Sequence, residues 1–412
     1  MTDRETGETV AAAVEPGIRF GVFCFAVYNL GVSYGTTFLL ALLVGKRGGN
    51  EADAGAIIAT AMISTMVAVV LSGHLADRLR PTRLVAAAGV LLGLGCAAFA
   101  TAATVGPAMV AGALVFGAGW GICYTVIPVI VAAVVEPGRR LRYFALMAGA
   151  SLSGVGSGPL IGRACAAAGL PLETAFSIAA AASALGAAVF FLWGERVARV
   201  RKGVAQFAAW RISREAVLRV LRSKAAYSIL MVGLGGAVFG SLSSFQTSYA
   251  GLRHLDYSLF FAGFMIAAVA ARFALAGMVA RRDPLVSSAA FAGLMVLSLL
   301  MFWLLVDGAP AYLLAAGLFG VGYGLIYPII NGLAANEAPP LYAPQSLLLF
   351  SLAYFIGVFG FPAVAGKIIV QRDVSTLLAV ALLIAAVNAG IPVARLIARR
   401  RSKATAARRS VS

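Results

Sequence analysis

The fold of this chain is decided by the stretch Gly73-His74-Leu75-Ala76-Asp77-Arg78-Leu79-Arg80-Pro81-Thr82-Arg83. One acid and three arginines are crowded into it, whereas residues 54–71 before it and 84–105 after it carry no charge. An apolar run of about 20 residues is long enough to cross a bilayer as a helix. The charged stretch between two such runs therefore predicts a tight turn at a membrane face.

The composition of the whole chain agrees with that interpretation. The chain has 412 residues, of which 61% are hydrophobic and 12% charged, and its mean hydropathy is +0.92. Soluble domains carry about 25% charged residues, so a soluble core could not hold this many apolar side chains. In lipid, only helices and closed barrels satisfy their backbone hydrogen bonds. The apolar runs do not alternate and are longer than barrel strands, so the sequence predicts an all-α polytopic membrane protein.

Twelve apolar runs are predicted to span the membrane. A long polar interval, residues 195–224, separates the first six from the last six and mixes arginines with apolar residues at helical spacing. This predicts two six-helix bundles, 1–194 and 225–412, joined by a cytoplasmic amphipathic linker, with a basic cytoplasmic tail on the second. The predicted spans, numbered 1 to 12 in chain order, are residues 18–44, 53–75, 83–104, 106–134, 143–168, 172–194, 225–250, 257–280, 285–306, 310–334, 343–369 and 374–397.

The distribution of basic residues predicts the orientation. Lys and Arg prefer cytoplasmic loops, and with both termini inside, 26 of the 33 basic residues fall on the inside. The sequence thus predicts a multi-pass protein of the cell inner membrane with both termini cytoplasmic. This topology and contact with anionic lipid account for the net charge of +17. Nucleic-acid binding is disfavoured because the charge is spread over many loops.

An internal repeat links the two predicted bundles. Span 4 contains Phe116-Gly117-Ala118-Gly119-Trp120-Gly121-Ile122-Cys123-Tyr124, and span 10 contains Phe319-Gly320-Val321-Gly322-Tyr323-Gly324-Leu325-Ile326-Tyr327. Five of the nine positions are identical, and a proline follows each segment. Two copies of one pattern predict pseudo-symmetric halves. The glycines at alternate positions predict close contacts between helices.

The charged turn and the repeat together resemble the major facilitator superfamily over Ile18–Ala398. Members carry the pattern G-x-L-A-D-R-x-G-R-[RK] between spans 2 and 3, which Gly73, Asp77 and Arg78 match, with Arg83 in place of the later basic residue. The resemblance implies twelve helices in the fold of that superfamily and a gating loop at the cytoplasmic face. In this role the acid contacts a neighbouring helix and the arginines pair with acids in the outward-facing state.

Span 5 contains a second pattern of the same superfamily. Gly154, Gly158, Pro159 and Gly162 resemble the G-x-x-x-G-P-x-x-G-G pattern of its antiporters and exporters. A Gly-Pro step bends a spanning helix, and the alternative interpretation is an ordinary glycine-packed kink. Residues 245–282 resemble the sugar- and drug-efflux-like branch, which adds to the expectation of export.

Polar side chains in spans 1, 4, 7 and 10 are candidates for a substrate cavity, because these spans line the cavity in the superfamily. Asn and Gln side chains are costly in lipid and are expected to face the bundle interior. For each residue the alternative is an interhelical hydrogen bond. The candidates are Asn29, Tyr34, Tyr124, Gln246, Tyr327 and Asn331.

Arg272 is a further candidate, predicted to lie well inside span 8. A charge near the middle of a bilayer costs about 3 kcal/mol on insertion scales, so this side chain should be buried in the bundle. Two interpretations remain open. Arg272 is either a counter-charge for an anionic substrate or an arginine held by a backbone carbonyl or snorkelling to the membrane surface.

These features predict a secondary active transporter that works by alternating access and exports a small organic molecule, as a monomer. Protons are the candidate coupling ion, although no acid lies deep in a predicted span, where proton carriers usually lie. The alternative is an uptake symporter for a small, anionic metabolite. The sequence has no nucleotide-phosphate loop and no metal-ligand or catalytic cluster, so neither a cofactor nor an enzymatic activity is predicted.

Overall fold

The computed structural model describes residues 18–135, 139–197 and 213–409. In this part every regular element is helical, and twelve spans are long and apolar enough to cross a membrane, as predicted. The helices are Ile18–Thr36 with Leu40–Lys46 in span 1, then Glu51–Arg78, Pro81–Thr101, Pro107–Val134, Arg140–Ala167 and Glu173–Val197 in spans 2 to 6, Ala225–Ser244 with Gln246–Leu252 in span 7, Ser258–Ala280, Pro284–Leu304 and Ala309–Asn336 in spans 8 to 10, Ala343–Phe355 with Phe361–Gln371 in span 11, and Val374–Arg409 in span 12.

The turn within residues 73–83 is shorter than predicted. Span 2 continues as a helix to Arg78 and span 3 begins at Pro81, so only Leu79 and Arg80 lie between the helices. Proline fits the first position of a helix, where no backbone N–H is needed. It also disfavours a helical conformation of the residue before it, and Arg80 is extended. The predicted gating residues are therefore helical: Gly73, Asp77 and Arg78 belong to span 2, and Arg83 belongs to span 3.

In the described part of the chain, three spans contain a local break in the α-helix. Span 1 has a 3-10 turn over Thr37–Leu39, span 7 is interrupted at Phe245, and span 11 has a π-helical turn over Ile356–Gly360. Span 5, in contrast, continues as an α-helix through Pro159. Short 3-10 and π segments inside longer helices are frequent at functional sites, so spans 1, 7 and 11 are of particular interest.

The bundle has two faces. We call the face at which span 1 begins and span 12 ends the terminal face, and the opposite face, at which spans 1 and 2 meet, the distal face. Two arginines of span 12 form ion pairs at the terminal face, Arg395 with Glu337 at 2.5 Å and Arg399 with Asp283 at 2.6 Å. These pairs attach the last helix to the rest of the second half.

The glycines of the repeat seat spans 4 and 10 against their neighbours in the same way. An alanine Cβ at Gly117 would lie 2.9 Å from the Ala61 carbonyl carbon, and one at Gly320 would lie 3.0 Å from the Phe264 carbonyl carbon. Both members of the second pair are 203 residues further along the chain than those of the first. Only glycine lets backbones approach this closely. The helix packing therefore repeats as the sequence does, and the two six-helix bundles are pseudo-symmetric.

Arg47 closes the distal end of span 3. Its Nη1 donates a 2.9 Å hydrogen bond to the Phe99 carbonyl, and its Nη2 donates one of 3.2 Å to the Ala100 carbonyl. The last carbonyls of a helix have no partner within the helix, so this guanidinium supplies the missing donors. The Arg47 side chain thus holds the end of span 1 against the end of span 3.

Arg47→Gln is expected to lower the free energy of unfolding by about 2 kcal/mol, because it removes two hydrogen bonds from a charged donor. Thermal unfolding in detergent measures the effect. Lys46→Gln is the matched control. Lys46 pairs with Glu173 at 2.8 Å, but its side chain is 50% exposed, so its loss should cost less than about 1 kcal/mol. Equal effects of the two substitutions would contradict the assigned role of Arg47.

Only part of the predicted linker lies within the described residues. A short helix, Arg214–Leu221, is capped by the Ser213 hydroxyl, which accepts a hydrogen bond from the Ala216 backbone N–H. Ala216 and Val220 are buried, so one face of this helix packs on the bundle. Residues 198–212, with most of the apolar positions of the linker, lie outside the described residues, as do residues 1–17, 136–138 and 410–412.

Candidate functional site

Six aromatic side chains and one arginine come together where the two halves meet. We call this set the aromatic cage, and it contains Tyr34, Trp120, Tyr124, Arg272, Tyr323, Tyr327 and Tyr354. The first three belong to spans 1 and 4 of the first half. The others belong to spans 8, 10 and 11 of the second half. The cage therefore draws on both copies of the repeat.

Two ring stacks repeat each other in the two halves. Tyr34 stacks on Trp120 with centroids 4.4 Å apart and planes 9° apart, and Phe239 stacks on Tyr323 at 4.5 Å and 14°. Trp120 and Tyr323 are equivalent positions of the repeat. Tyr34 and Phe239 each precede a glycine that meets the equivalent valine, so the two stacks correspond. Aromatic pairs of this kind contribute about 1 kcal/mol beyond the area that they bury. They also fix the rings as flat walls on each side of the interface.

Other contacts of the cage cross from one half to the other. The Tyr124 ring stacks on Tyr354 with centroids 5.7 Å apart and planes 16° apart, and the Tyr124 hydroxyl contacts the Tyr327 hydroxyl. Tyr34 meets Phe359 edge to face at 5.8 Å. Because these contacts join the halves, any relative movement of the halves must rearrange the cage.

Arg272 approaches the cage from span 8. Its Nε donates a 3.1 Å hydrogen bond to the Gly324 carbonyl in span 10. Gly324 follows Tyr323, and the Tyr323 hydroxyl donates a 3.4 Å hydrogen bond to the Tyr354 hydroxyl. The hydrogen bond matches the carbonyl-bound interpretation of Arg272. The two tyrosines place the charge at the edge of the cage, as the anion interpretation requires.

The structure brings three of the other candidate cavity residues together. Tyr34, Tyr124 and Tyr327 all belong to the cage, and Asn331 lies one helical turn beyond Tyr327 toward the terminal face, half-buried. Asn29 is buried, and its Nδ2 donates a 2.8 Å hydrogen bond to a carbonyl of its own helix. For Asn29, the donor is therefore used within span 1.

Gln246 lies inside the second half. Its side chain is fully buried, and its Oε1 accepts a 2.8 Å hydrogen bond from the Tyr312 hydroxyl. Tyr312 in turn stacks on Tyr249 at 5.9 Å. Within the described residues, the Gln246 Nε2 has no hydrogen-bond partner. Gln246 thus accepts a hydrogen bond that joins span 10 to span 7 inside the second half.

Three cage residues are absent from the sequence-based candidates: Trp120, Tyr323 and Tyr354. The first two stand at the fifth position of the repeated pattern, where an aromatic residue recurs, so the repeat itself was a signal for them. Tyr354 had no such signal. It belongs to span 11, and its equivalent position in span 5 is Ser151.

The two halves meet backbone to backbone at the distal face. An alanine Cβ at Gly366 would lie 2.7 Å from the Glu51 carbonyl carbon, and one at Gly55 would lie 2.9 Å from the Pro362 carbonyl carbon. These contacts join span 2 to span 11. Toward the terminal face the approach of spans 5 and 8 is looser, since an alanine Cβ at Gly149 would meet a ring of span 8 only at 3.8 Å. The distal face is therefore closed.

An ion pair joins the halves at the equivalent position of the repeat. The Arg163 Nε in span 5 lies 2.6 Å from the Asp256 Oδ2 before span 8, and both side chains are partly exposed. Arg163 is the repeat equivalent of Gly366. A third distal contact is a 2.9 Å hydrogen bond from the Ser248 hydroxyl to Glu51. One side of the distal closure thus depends on backbone packing, and the other depends on opposite charges.

The Asp256 carboxylate makes this closure sensitive to pH. Partial burial raises its pKa, but hydrogen bonds from Arg163 and Ser258 outweigh the burial and hold the pKa below the ordinary value of 3.8. The part of this lowering that comes from Arg163 exists only while the two halves touch, so the ionised carboxylate favours the closed state. The stabilisation is fully present above the ordinary pKa and is lost as the pH falls through the lowered one.

Acidification below the ordinary pKa of Asp256 is therefore expected to open the distal face. The pair is partly exposed, so the shift in the population of open molecules should be about two- to fivefold. Distances between spin labels at Ala168 and Gly251, one in each half, measure the opening. In Asp256→Asn the labels should already be further apart at neutral pH and should no longer respond to acid. An acid response that survives this substitution would exclude Asp256 as its source.

The predicted kink motif packs span 5 against span 1. An alanine Cβ at Gly154 would lie 3.0 Å from the Tyr28 carbonyl carbon, and one at Gly158 would lie 2.9 Å from the Gly35 Cα. Gly162 faces the Leu39 side chain. These approaches match the close-packing interpretation of the motif. The helix runs on through Pro159 between them.

The structure describes the side chains of two predicted gating residues. Arg78 and Arg83 are exposed at the terminal face. The side chains of Gly73 and Asp77 lie outside the described part of the chain. In the second half, the repeat offset places Ala280 at the position equivalent to Asp77, so an acid at this point occurs in the first half alone.

The carboxylates of the described ranges lie in loops or in the first or last turn of a helix. No group of three or more potential metal ligands is found in the same ranges. The middle of the described membrane region therefore holds the Arg272 charge without a carboxylate at the same depth.

The sequence of this chain matches a family profile and several relatives. The family profile described as Major Facilitator Superfamily matches residues 21–362. Uncharacterized MFS-type transporters of Burkholderia mallei and Burkholderia pseudomallei are 29% identical to this chain over 358 residues, which cover 79% of this chain and 83% of theirs.

Solved structures share the fold at low sequence identity. The nucleoside transporter NupG is 15% identical with a TM-score of 0.72 and matches 92% of this chain and 98% of its own. The peptide transporter POT is 17% identical, with a TM-score of 0.72 and coverage of 93% and 95%. The human organic anion transporter MFSD10 is also 17% identical, with a TM-score of 0.67 and coverage of 92% and 100%. These likenesses establish the architecture alone.

Proposed function

This chain belongs to the major facilitator superfamily, and on that premise we propose that it exports a small organic molecule by alternating access. The observation that carries the proposal is the aromatic cage, which is built from both halves and lies beneath a closed distal face. A site shared by two halves that touch at one face is what alternating access requires. The cage residues, together with Asn29, Gln246 and Asn331, are our proposed lining of the pathway.

The proposed orientation places the terminal face in the cytoplasm. It puts most basic residues inside, in keeping with the charge rule for inner-membrane proteins. We further propose that the protein is a monomer surrounded by lipid. In this orientation the closed distal face is the external one, and the cage would load from the cytoplasm.

The direction of transport rests on the motif of span 5, with Gly154, Gly158, Pro159 and Gly162. Its close packing against span 1 supports a stiff pair of helices that moves as one body.

We propose protons as the coupling ion, taken up by carboxylates at the membrane faces, since the described acids lie there. An imposed pH gradient should then drive transport, and collapse of that gradient by an ionophore should stop it.

A comparison of inverted membrane vesicles with and without the protein tests the proposed function. A complete metabolite extract is supplied outside, and compounds retained in the lumen are identified by mass spectrometry. Export predicts at least one compound that accumulates only when the protein is present. If purified, monodisperse protein in liposomes moves no such compound under any ion gradient, transport is excluded.

Uptake of an anionic metabolite is the second candidate, and Arg272 is the observation that favours it. A positive charge at the edge of the cage would hold an anion carried in either direction. Deletion of an exporter leaves cells hypersensitive to a compound, whereas deletion of an importer leaves them unable to use one. Growth of deletion cells on single carbon sources and in the presence of toxic compounds therefore separates the two.

The proposed gating role of Asp77 gives a further prediction. Asp77→Asn is expected to slow transport by about tenfold or more while leaving expression unchanged, because a charged hydrogen-bond partner of about 1.5–3 kcal/mol is lost from one state only. The initial rate in proteoliposomes measures it. Asp307→Asn, in an exposed distal loop, is the matched control. Unchanged transport in Asp77→Asn would remove the gating role.

A further inference from the structure

The chemistry of the aromatic cage defines the class of molecule that it can hold. We propose that the ligand of the cage is a planar organic anion, with its ring between the tyrosines of the two halves and its acidic group at Arg272. The inference rests on the proposed transport function and adds the chemical class of the cargo. Two independent features of the cage carry it, the charge of Arg272 and the arrangement of the rings.

The first feature is the unbalanced charge. In the described ranges the carboxylates that form ion pairs do so with other basic residues, such as Arg395, Arg399, Arg163 and Lys46. The hydrogen bond found for Arg272 in the same ranges goes to an uncharged backbone carbonyl. A guanidinium at this depth is costly unless a negative charge compensates it. An anion that enters the cage supplies that charge.

The second feature is the stack between the halves. The Tyr124 ring lies on Tyr354 in the closed state, at 5.7 Å and nearly parallel. When the halves move apart, this stack opens and both ring faces lose their partner. A flat ring restores an aromatic contact to both faces, with about 1 kcal/mol for each pair. A chain-like or globular molecule would leave one of the faces without a partner.

The two features are adjacent, which fixes how one molecule would meet both. Tyr354 forms one side of the stack, and its partner Tyr323 is next in the chain to Gly324, whose carbonyl accepts the Arg272 hydrogen bond. The Tyr323 hydroxyl donates a long hydrogen bond of 3.4 Å to the Tyr354 hydroxyl, so the Tyr354 O–H is the one that can donate to a ligand. A carboxylate attached to a ring at Tyr354 would therefore meet one cation and one hydroxyl donor.

Binding to the purified full-length protein tests the inference without the need for transport. The probes are benzoate and naphthoate, with benzamide as the neutral ring and cyclohexanecarboxylate as the anion without a flat ring. Each is titrated at millimolar concentration, and the readouts are thermal stabilisation and Trp120 fluorescence. The aromatic anions should stabilise the protein, naphthoate more than benzoate. The two controls should bind at least about tenfold more weakly, since each loses one of the two contacts.

Two arginine variants locate the site. Arg272→Gln should weaken naphthoate binding by about ten- to hundredfold, as expected for loss of a charged hydrogen bond. Arg253→Gln is the matched control, because Arg253 also lies over a tyrosine, at 4.3 Å from the Tyr249 ring centroid, but on the distal face. Naphthoate binding should be unchanged in Arg253→Gln. Trp120→Phe should abolish the change in tryptophan fluorescence on binding, which assigns that change to the cage.

The outcomes separate this inference from the transport proposal. No stabilisation by either aromatic anion overturns the inference, and so does equal stabilisation by benzamide or an unchanged affinity in Arg272→Gln. If Arg272→Gln fails to fold, Arg272→Lys keeps the charge and should retain most of the binding of the acids. Specific binding without transport of any compound would overturn the transport proposal and leave the anion site standing.

Discussion

Replacing Gly366 by alanine is expected to reduce transport about a hundredfold without unfolding either half. The new Cβ would lie 2.7 Å from the Glu51 carbonyl carbon and 3.0 Å from the Ala52 Cα, and a backbone cannot turn aside as a side chain can. Overpacking of this kind costs up to about 3 kcal/mol, which corresponds to that factor. The clash lies between the halves, so the protein avoids it by staying open at the distal face.

Two measurements check the prediction for Gly366→Ala. The distance between labels at Ala168 and Gly251 should increase to a single open value, and the initial transport rate should fall. Gly332→Ala is the matched control, because no atom lies within 4 Å of a Cβ at that position of span 10. Normal transport in Gly366→Ala would mean that spans 2 and 11 never need to meet closely during the cycle.

Replacing Gly35 by alanine is expected to have the largest effect on stability. The Cβ would lie 2.6 Å from the Val155 carbonyl carbon and 2.9 Å from its Cα, within the first half. Movement of the halves cannot relieve this clash, so spans 1 and 5 must separate or distort, at a cost of about 3 kcal/mol. We expect a lower thermal unfolding midpoint and a reduced yield of folded protein.

Because of the repeat, the same prediction can be made for the equivalent glycine of the second half. Gly240 meets Val358 in the second half as Gly35 meets Val155 in the first, and its Cβ would lie 2.8 Å from the Val358 carbonyl carbon. Gly240→Ala should therefore destabilise the protein to a similar extent. Gly45→Ala, where a Cβ meets nothing within 4 Å, should leave the midpoint unchanged or slightly raised. A normal midpoint in Gly35→Ala would show that the first half can repack around a methyl group.

Most of the fold could be predicted because the membrane limits the choices. Apolar runs of spanning length and the repeat at Gly117 and Gly320 indicate twelve helices in two related halves. The boundaries of the helices were harder to predict from the sequence, since the charge of residues 73–78 suggested a loop where the helix continues. Helix formation there depends on backbone hydrogen bonds that charged side chains do not interrupt. The π-helical turn at Ile356–Gly360 had no counterpart in the sequence pattern, because it depends on packing against span 7.

The candidate site was predictable only where the repeat pointed to it. Tyr124 and Tyr327 are the last residues of the two copies of the repeated pattern, and the structure places both in the cage. Gln246 was an equally reasonable candidate from its polarity, but the direction of its side chain is set by the hydrogen bond from Tyr312. The pairing of Arg163 with Asp256 joins residues 93 positions apart. No local pattern encodes such a contact, because it exists only once the two halves meet.

The offset of 203 residues also shows where the two halves have ceased to be interchangeable. A cage with perfect internal symmetry would offer every ligand two equivalent orientations, with no energy difference to choose between them. Arg272 has Val69 as its equivalent and Tyr354 has Ser151, so the charge and one wall of the stack exist on one side only. The two orientations therefore differ in energy, and an asymmetric molecule would bind in the more favourable one. Within the cage, pairs of unlike residues at this offset are therefore the positions that would orient the proposed cargo.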